Sequence, residues 1–238
     1  MKERKKLYEG KAKIVYAGEH PDELILHFKD DTSAFDGEKV AQLEHKGEIN
    51  NAFNAYIMEY LSKAGVPTHF LRRHGPRETV VQRLDMIPVE CVIRNRAAGS
   101  LCRRLGIAEG QVLEPPILEF FLKNDSLHDP LINRSHIRTF HWASDSEVEA
   151  MTRWTQEVNG LLSELFARAQ LILVDFKLEF GRFQGQLRLG DEFSPDGCRL
   201  WDASSMEKMD KDRFRRDLGG VVEAYGEVAR RLGVPMLP

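Results

Sequence analysis

The sequence has few cysteines and no long apolar run. Its three cysteines, Cys91, Cys102 and Cys198, are widely spaced among 238 residues and form no CxxC pair, so neither a disulfide framework nor a structural zinc site is expected. No apolar stretch approaches the roughly 18 residues of a membrane span, and no apolar segment of a secretory signal follows the charged N-terminus. These absences predict a cytoplasmic protein with no membrane partner.

The sequence also lacks a large net charge. Lys and Arg number 34 and Asp and Glu 37, which gives a formal charge of −3. Such a balance argues against a protein that coats nucleic acid by bulk charge. Basic residues are nevertheless concentrated locally, with six against two acidic residues over 1–13 and four against one over 90–106. Because the Walker loop and the GxGxxG fingerprint are both absent, these patches predict small phosphorylated ligands held in another way.

The spacing of apolar residues predicts a mixture of helices and strands. Apolar residues recur every four positions from residue 47 to 64, which indicates a helix that ends before Gly65. A capping box formed by Ser144 and Glu147 starts another helix. We expect strands within 7–16 (two, around Gly10) and over 24–28, 79–81, 89–93, 171–174 and 187–189, a turn at 30–31, a short helix over 100–105, and one last helix from Phe214 to Leu232.

The order of these elements predicts an α+β fold. Antiparallel hairpins favour this class over a doubly wound parallel sheet. The short stretch Asp85–Pro88 separates two predicted strands and is a candidate hinge. We therefore expect two lobes, an antiparallel β-rich lobe over residues 1–85 and a larger α+β lobe over residues 86–238.

Ionisable residues alternate directly after the predicted strand 171–174. Because a strand alternates faces, Asp175, Lys177 and Glu179 share one face, and a predicted hairpin brings Asp191 near Glu179. Converging carboxylates beside a lysine suit Mg²⁺ bound together with phosphate oxygens. A solvated strand face with a local salt bridge, and a polar turn after Asp191, are the alternatives.

Two further segments could hold phosphate groups. Lys11 and Lys13 alternate just after a glycine and could bind a polyphosphate, although exposed hairpin lysines are common. Arg94 precedes Ser100 at the start of a predicted short helix, an arrangement suited to a phosphomonoester, with Arg199 as a second guanidinium. The alternative for this segment is an N-cap serine with surface arginines. His128 and Asp129, in a polar loop, are weak substrate candidates.

Five segments of the chain occur in a characteristic order: LYEGKAK at 7–13, RNRAAGS at 94–100, FLKND at 121–125, LVDFKLEFG at 173–181 and GDEFSPD at 190–196. Together they resemble one enzyme family, the SAICAR synthetases of purine biosynthesis. The resemblance implies a β-rich lobe and a larger α+β lobe with ATP between them, similar to kinase and ATP-grasp architectures. It also implies a homodimer that joins the ribonucleotide CAIR to L-aspartate at the expense of ATP, with Mg²⁺, through an acyl phosphate.

The resemblance further implies roles for individual residues. Those implied for ATP are Lys11, Ala12, Lys13, Leu84, Met86 and Lys123, with Glu179 and Asp191 as the Mg²⁺ ligands. Those implied for the substrates are Arg94, Ser100, Arg199, Asp129, Asp196, and Ser33 and Asp36 in a loop expected to close. Asp175 and Lys177 are implied beside the reacting carboxylate, where Lys177 offsets its charge.

The sequence departs from the family pattern at two places. Phe35 stands where a small residue is expected, and Gln82 and Arg83 stand where lysines are expected; we expect backbone groups to recognise adenine there. Two other functions stay open on the residues alone: a small-molecule kinase that stops at phosphorylation, and a non-catalytic nucleotide- or RNA-binding module. The discriminating observation is that a ligase should release phosphate only when both CAIR and aspartate are present.

Overall fold

The computed structural model describes residues 4–34 and 37–236. Five short strands come first, and helices and strands are mixed in the rest of the described chain. The strands are β1 (Lys6–Glu9), β2 (Lys13–Ala17), β3 (Glu23–Phe28), β4 (Asp31–Ala34), β5 (Lys39–Gln42), β6 (Phe70–Arg73), β7 (Glu78–Gln82), β8 (Asp85–Arg96), β9 (Val112–Leu122), β10 (Leu131–Ile132), β11 (Leu171–Phe183), β12 (Gln186–Leu189) and β13 (Cys198–Asp202). The helices are α1 (Lys46–Lys63), α2 (Ser100–Leu105), α3 (Arg134–Thr139), α4 (Asp145–Arg168), α5 (Asp212–Arg215) and α6 (Val221–Leu232).

The strands form two main sheets and one small hairpin. The first sheet has the order β1-β2-β3-β7-β6, and the second has the order β10-β9-β8-β11-β12, with β13 also paired to β11. Within residues 4–34 and 37–236, strands β4 and β5 pair with each other as a two-stranded hairpin. Every pair of named strands is antiparallel. The α+β class predicted from the sequence is therefore confirmed.

The two central strands of the second sheet position most of the predicted site. Strand β11 pairs with β8 so that Asp175 lies opposite Arg94 and Glu179 lies opposite Glu90. Since side chains alternate along a strand, Asp175, Lys177 and Glu179 face the same side of the sheet as Arg94 and Glu90. The opposite face carries Phe176, Leu178 and Phe180, which are buried in the main core.

The main core includes helices from both predicted lobes, before and after residue 85. Phe53 of α1 stacks at 6.3 Å on Phe166 of α4 and at 6.4 Å on Phe193, measured between ring centroids. The predicted capping box of Ser144 and Glu147 at the start of α4 is present. The division into lobes at residue 85 stays a prediction. None of the described helices combines the length and apolar character needed to cross a membrane.

The structure corrects two predicted elements. The stretch Asp85–Pro88 is the beginning of β8 rather than a separate connection, because Asp85 and Met86 pair with β11 beyond a bulge. The predicted single last helix is two helices, α5 and α6, because Gly219 and Gly220 adopt left-handed backbone angles of φ 67° and 58° between them. A helix cannot continue through two such residues.

The sequence also missed the hairpin of β4 and β5. Residues 30 and 31 were expected to form a turn, but Asp31 begins β4 and lies opposite Gln42 of β5. Strand β4 is short and polar, so it lacks the alternation by which a strand is predicted. Ser33 lies on this hairpin, whereas Phe35 and Asp36 lie outside the described residues.

Candidate active site

A cavity of about 500 Å³ opens between the two main sheets. We call it the first cavity. Ten predicted site residues line it: Lys11, Ala12, Lys13, Leu84, Met86, Lys123, Asp129, Lys177, Glu179 and Asp191. One part of the wall is apolar, with Val15, Leu24 and Val81 among its residues. The cavity therefore combines a surface suited to an aromatic base with a charged end suited to phosphates.

Lysine–carboxylate pairs occupy the charged end of the first cavity. The Nζ atom of Lys13 lies 2.7 Å from Asp191 Oδ1 and 2.7 Å from Glu192 Oε2. Burial alone would lower the pKa of Lys13, but the charges of the two carboxylates outweigh it and raise that pKa. Burial acts in the opposite sense on Asp191, whose pKa the lysine charges nevertheless hold below its usual range. Both groups are thus charged at neutral pH.

A second set of paired charges, centred on β8 and β11, also lines the first cavity. Lys177 Nζ donates to Glu90 Oε1 at 2.7 Å and to Glu179 Oε1 at 2.8 Å, and Lys123 also pairs with Glu179. Burial raises the pKa of Glu90. Glu90 is a site residue that was not predicted, although its even spacing from Arg94 on one strand indicates that both side chains face the same way.

The predicted phosphomonoester residues line two smaller cavities beside the first. The second cavity, of about 390 Å³, is lined by Glu90, Arg94 and Ser100 among others. The third, of about 220 Å³, is lined by Arg94, Lys177 and Arg199 among others. Glu90 lines the first and second cavities and Lys177 the first and third, so both smaller cavities adjoin the first.

Asp175 fixes the two predicted guanidinium groups at the base of the third cavity. Its Oδ2 accepts from Arg94 at 2.9 Å and from Arg199 at 2.9 Å. Arg199 also donates through Nε to Asp212 at 3.0 Å, and Arg94 donates to Ser100 Oγ at 3.3 Å. Since fixed guanidinium groups bind phosphate oxygens without losing side-chain freedom, this arrangement is suited to an anionic ligand.

Backbone geometry at Gly99 makes room for Arg199. Gly99 has φ 56°, and a Cβ there would overlap the Arg199 guanidinium. Two more arginines lie at these cavities without having been predicted: Arg104 in the second and Arg215 in the third. Arg104 donates to Ser100 Oγ at 3.2 Å. Arg104 follows Ser100 by four residues on α2, the spacing of neighbours on one helical face.

The remaining predicted substrate residues, Asp129, Asp196 and Ser33, differ in how they lie relative to the three cavities. Asp129 lines both the first and second cavities and accepts from the Asn124 backbone at 2.8 Å. Asp196 lines the third cavity, but both of its carboxylate oxygens have protein partners. Ser33 is not among the residues that line these three cavities. The roles of these residues stay predictions.

The residues of the first cavity fit a magnesium ion shared with phosphate oxygens. Among the described residues no three His, Cys, Asp or Glu side chains group into a metal site made of protein alone. Glu179 and Asp191 supply two carboxylates at the charged end of the cavity. Mg²⁺ typically binds one or two carboxylates together with substrate phosphates and water, so the pair matches the donor set that this ion requires.

Comparison with known proteins identifies the family. The family model described as SAICAR synthetase matches residues 6–232. The chain belongs to the SAICAR synthetase family. The phosphoribosylaminoimidazole-succinocarboxamide synthase of Acidithiobacillus ferrooxidans is 80% identical over 236 residues, which is 99% of this chain and 98% of that protein. The synthase of Nitrosococcus oceani is 60% identical over 99% of both chains.

Solved structures agree with this assignment over the whole fold. The Ehrlichia chaffeensis synthase has a TM-score of 0.96 at 45% identity, covering 98% of this chain and 100% of that one. A SAICAR synthetase in complex with ADP has a TM-score of 0.93 at 43% identity, covering 97% and 99%. The chain is therefore an ATP-dependent ligase of purine biosynthesis, and the enzyme class inferred from the resemblance is confirmed.

Proposed function

We propose that this ligase joins CAIR to L-aspartate and forms SAICAR, ADP and phosphate in the synthesis of IMP. The observation that carries the proposal is that the three cavities adjoin at Glu90 and Lys177, each of which lines two of them. A nucleotide in the first cavity would direct its phosphates toward Lys177, and a phosphorylated substrate held by Arg94 and Arg199 would meet it there. Positioning two reactants in this way supplies much of the catalysis of such reactions.

The carboxylate of CAIR must first be activated. One carboxylate oxygen attacks the γ-phosphorus of ATP, the bond from that phosphorus to the bridging oxygen breaks, and ADP leaves. The aspartate amine then attacks the acyl carbon, the carbon–oxygen bond to the phosphoryl group breaks, and inorganic phosphate leaves as the amine loses its proton. Lys177 offsets the charge of the reacting carboxylate, beside Asp175.

Residues of the first cavity hold the nucleotide. Lys11, Ala12, Lys13 and Lys123 bind the phosphates, and Leu84 and Met86 contact adenine. Glu179 and Asp191 would hold Mg²⁺, which neutralises phosphate charge when bound. Lys13, Lys123 and Lys177 now pair with these carboxylates, so nucleotide binding exchanges lysine–carboxylate pairs for contacts with metal and phosphate.

Residues of the second and third cavities hold CAIR. Arg94, Ser100 and Arg199 bind its phosphate, with Asp129 and Asp196 as further substrate residues. Ser33 and Asp36 belong to the segment that closes over the substrates. We also propose that the enzyme lies in the cytoplasm and forms a homodimer. Light scattering on the purified protein tests the homodimer, because it measures the mass of the particle in solution.

The test of the reaction is a coupled assay with CAIR, aspartate and Mg-ATP. We expect phosphate release only when both CAIR and aspartate are present, together with absorbance of the succinocarboxamide product. CAIR labelled with ¹⁸O in the carboxylate should transfer one label to the released phosphate. Rapid ADP formation with CAIR alone, leaving a stable phosphorylated product, would identify a kinase and overturn the proposal, and unlabelled phosphate would exclude the acyl phosphate.

A further inference from the structure

His69 joins the two main sheets at the wall of the first cavity. Its side chain is buried, with 4% of the residue exposed. Its backbone N–H donates to Leu189 O at 2.9 Å, at the end of β12, and its carbonyl accepts from Gln82 N at 2.7 Å, at the end of β7. The backbone of His69 is therefore held from both sheets at the wall of the cavity.

The imidazole contacts the main chain of Asp191. Nε2 of His69 lies 3.0 Å from the Asp191 carbonyl oxygen. Because a carbonyl oxygen can only accept, Nε2 carries the hydrogen and donates it. Asp191 has φ 54°, in the left-handed region, which costs free energy for a residue with a Cβ atom although Asp tolerates it better than most residues. A hydrogen bond to its main chain therefore stabilises this conformation.

Lys13 supports the same residue in a different way. Its ammonium binds the Asp191 carboxylate, the group assigned to Mg²⁺, and Lys13 is itself assigned to phosphate. Nucleotide binding thus competes for the Lys13 contact. The hydrogen bond from His69 goes to the Asp191 carbonyl, so it does not compete with a ligand of the carboxylate and can persist in the loaded site.

We propose that His69 is a positioning residue for the metal site. Its hydrogen bond to the Asp191 carbonyl holds that residue in the left-handed conformation, which keeps the carboxylate at the charged end of the first cavity for Mg²⁺. The inference rests on the proposed function, because it takes Asp191 as a metal ligand. The role is one of positioning, because the imidazole hydrogen bond goes to the main chain of Asp191 and not to its carboxylate.

The test compares two substitutions of similar size. His69→Gln keeps an N–H donor at about the position of Nε2, whereas His69→Leu fills the space without a donor. Binding of ADP is measured by calorimetry with Mg²⁺ and with EDTA. We expect His69→Leu to weaken Mg-ADP binding about tenfold, as for loss of an outer-shell partner of a metal ligand. Binding of ADP in EDTA should change less than about twofold, and His69→Gln should restore most of the Mg²⁺-dependent affinity.

Three results would overturn the inference. They are unchanged Mg-ADP binding by His69→Leu, an equal loss with Mg²⁺ and with EDTA, or no recovery in His69→Gln. If His69→Leu does not fold, His69→Asn replaces it, since the shorter amide cannot reach the carbonyl. Asp191→Asn separates the two proposals. If Asp191→Asn leaves Mg²⁺ dependence unchanged, the metal assignment fails and this inference with it. If it removes the dependence while His69→Leu does not, only this inference fails.

Discussion

A buried ion pair beneath the third cavity allows a quantitative prediction. Lys46 of α1 is 0% exposed, and its Nζ lies 2.6 Å from Asp196 Oδ2. The same carboxylate accepts from Asn50 Nδ2 at 3.0 Å and from the Tyr225 hydroxyl at 2.7 Å. Lys46→Met removes the paired ammonium and keeps a long apolar stem, so Asp196 stays buried with neutral hydrogen-bond donors and with Lys211 as a nearby positive charge.

The expected loss of stability is about 3 kcal/mol. Breaking a buried pair by removing one partner typically costs about 3–5 kcal/mol, because an uncompensated charge is left behind. The donors that remain, Asn50 and Tyr225, place the expectation at the lower end. The matched control is Lys63→Met in the same helix. Lys63 has an 80% exposed side chain 3.9 Å from Glu59, and we expect a change below about 0.5 kcal/mol there.

Urea denaturation at pH 7 and again at about pH 4 tests the reasoning. Burial alone would raise the pKa of Asp196, but the charges of Lys46 and Lys211 and the hydrogen bonds to it hold that pKa below 3.8. A depressed pKa contributes stability above the unfolded value and loses it as the pH falls below that value. Without Lys46 the pKa of Asp196 should rise, so the difference in the free energy of unfolding between wild type and Lys46→Met should be smaller at about pH 4 than at pH 7. Equal losses of stability in Lys46→Met and Lys63→Met, or a difference that is larger at the lower pH, would refute the role of the buried ion pair.

Three further predictions concern the active site and the start of α4. Glu179→Gln should lower kcat/KM on the order of a hundredfold, as for a group that acts on transition-state charge; full turnover would contradict the metal assignment. Gly99→Ala should displace Arg199 and raise the KM for CAIR roughly tenfold to a hundredfold, since one hydrogen bond to a charged group contributes about 1.5–3 kcal/mol. The Kd for ADP, measured by calorimetry, should not change with it. The hydrogen bond from Arg182 lowers the pKa of Glu147 to about 2, so NMR titration should show this carboxyl charged down to that pH. In Arg182→Met its pKa should return toward 4.5, and an unchanged value would contradict the pairing.

Much of the fold could be predicted from periodicity and from capping signals. The strands around Gly10, helix α1 and the capped start of α4 follow patterns that local sequence determines. The predictions were wrong where pairing with a distant strand determines the local structure. Asp85 and Met86 became strand because β11 pairs with them, and the polar hairpin of β4 had no apolar alternation to reveal it.

The candidate site divides in the same way. Alternation along β11 by itself predicted that Asp175, Lys177 and Glu179 share a face, because the two-residue period is a property of the extended backbone. The ordered motifs by themselves predicted the family that comparison confirms.

Only the tertiary structure decided which groups meet. It brought Lys13 to Asp191 from 178 positions away, and it placed Glu90 beside Lys177 on the neighbouring strand. It also seated His69 against the Asp191 carbonyl. Such contacts depend on sheet order and register, which distant parts of the chain fix together by burying a common core, so local sequence determines the side chains available while the packed fold determines their partners.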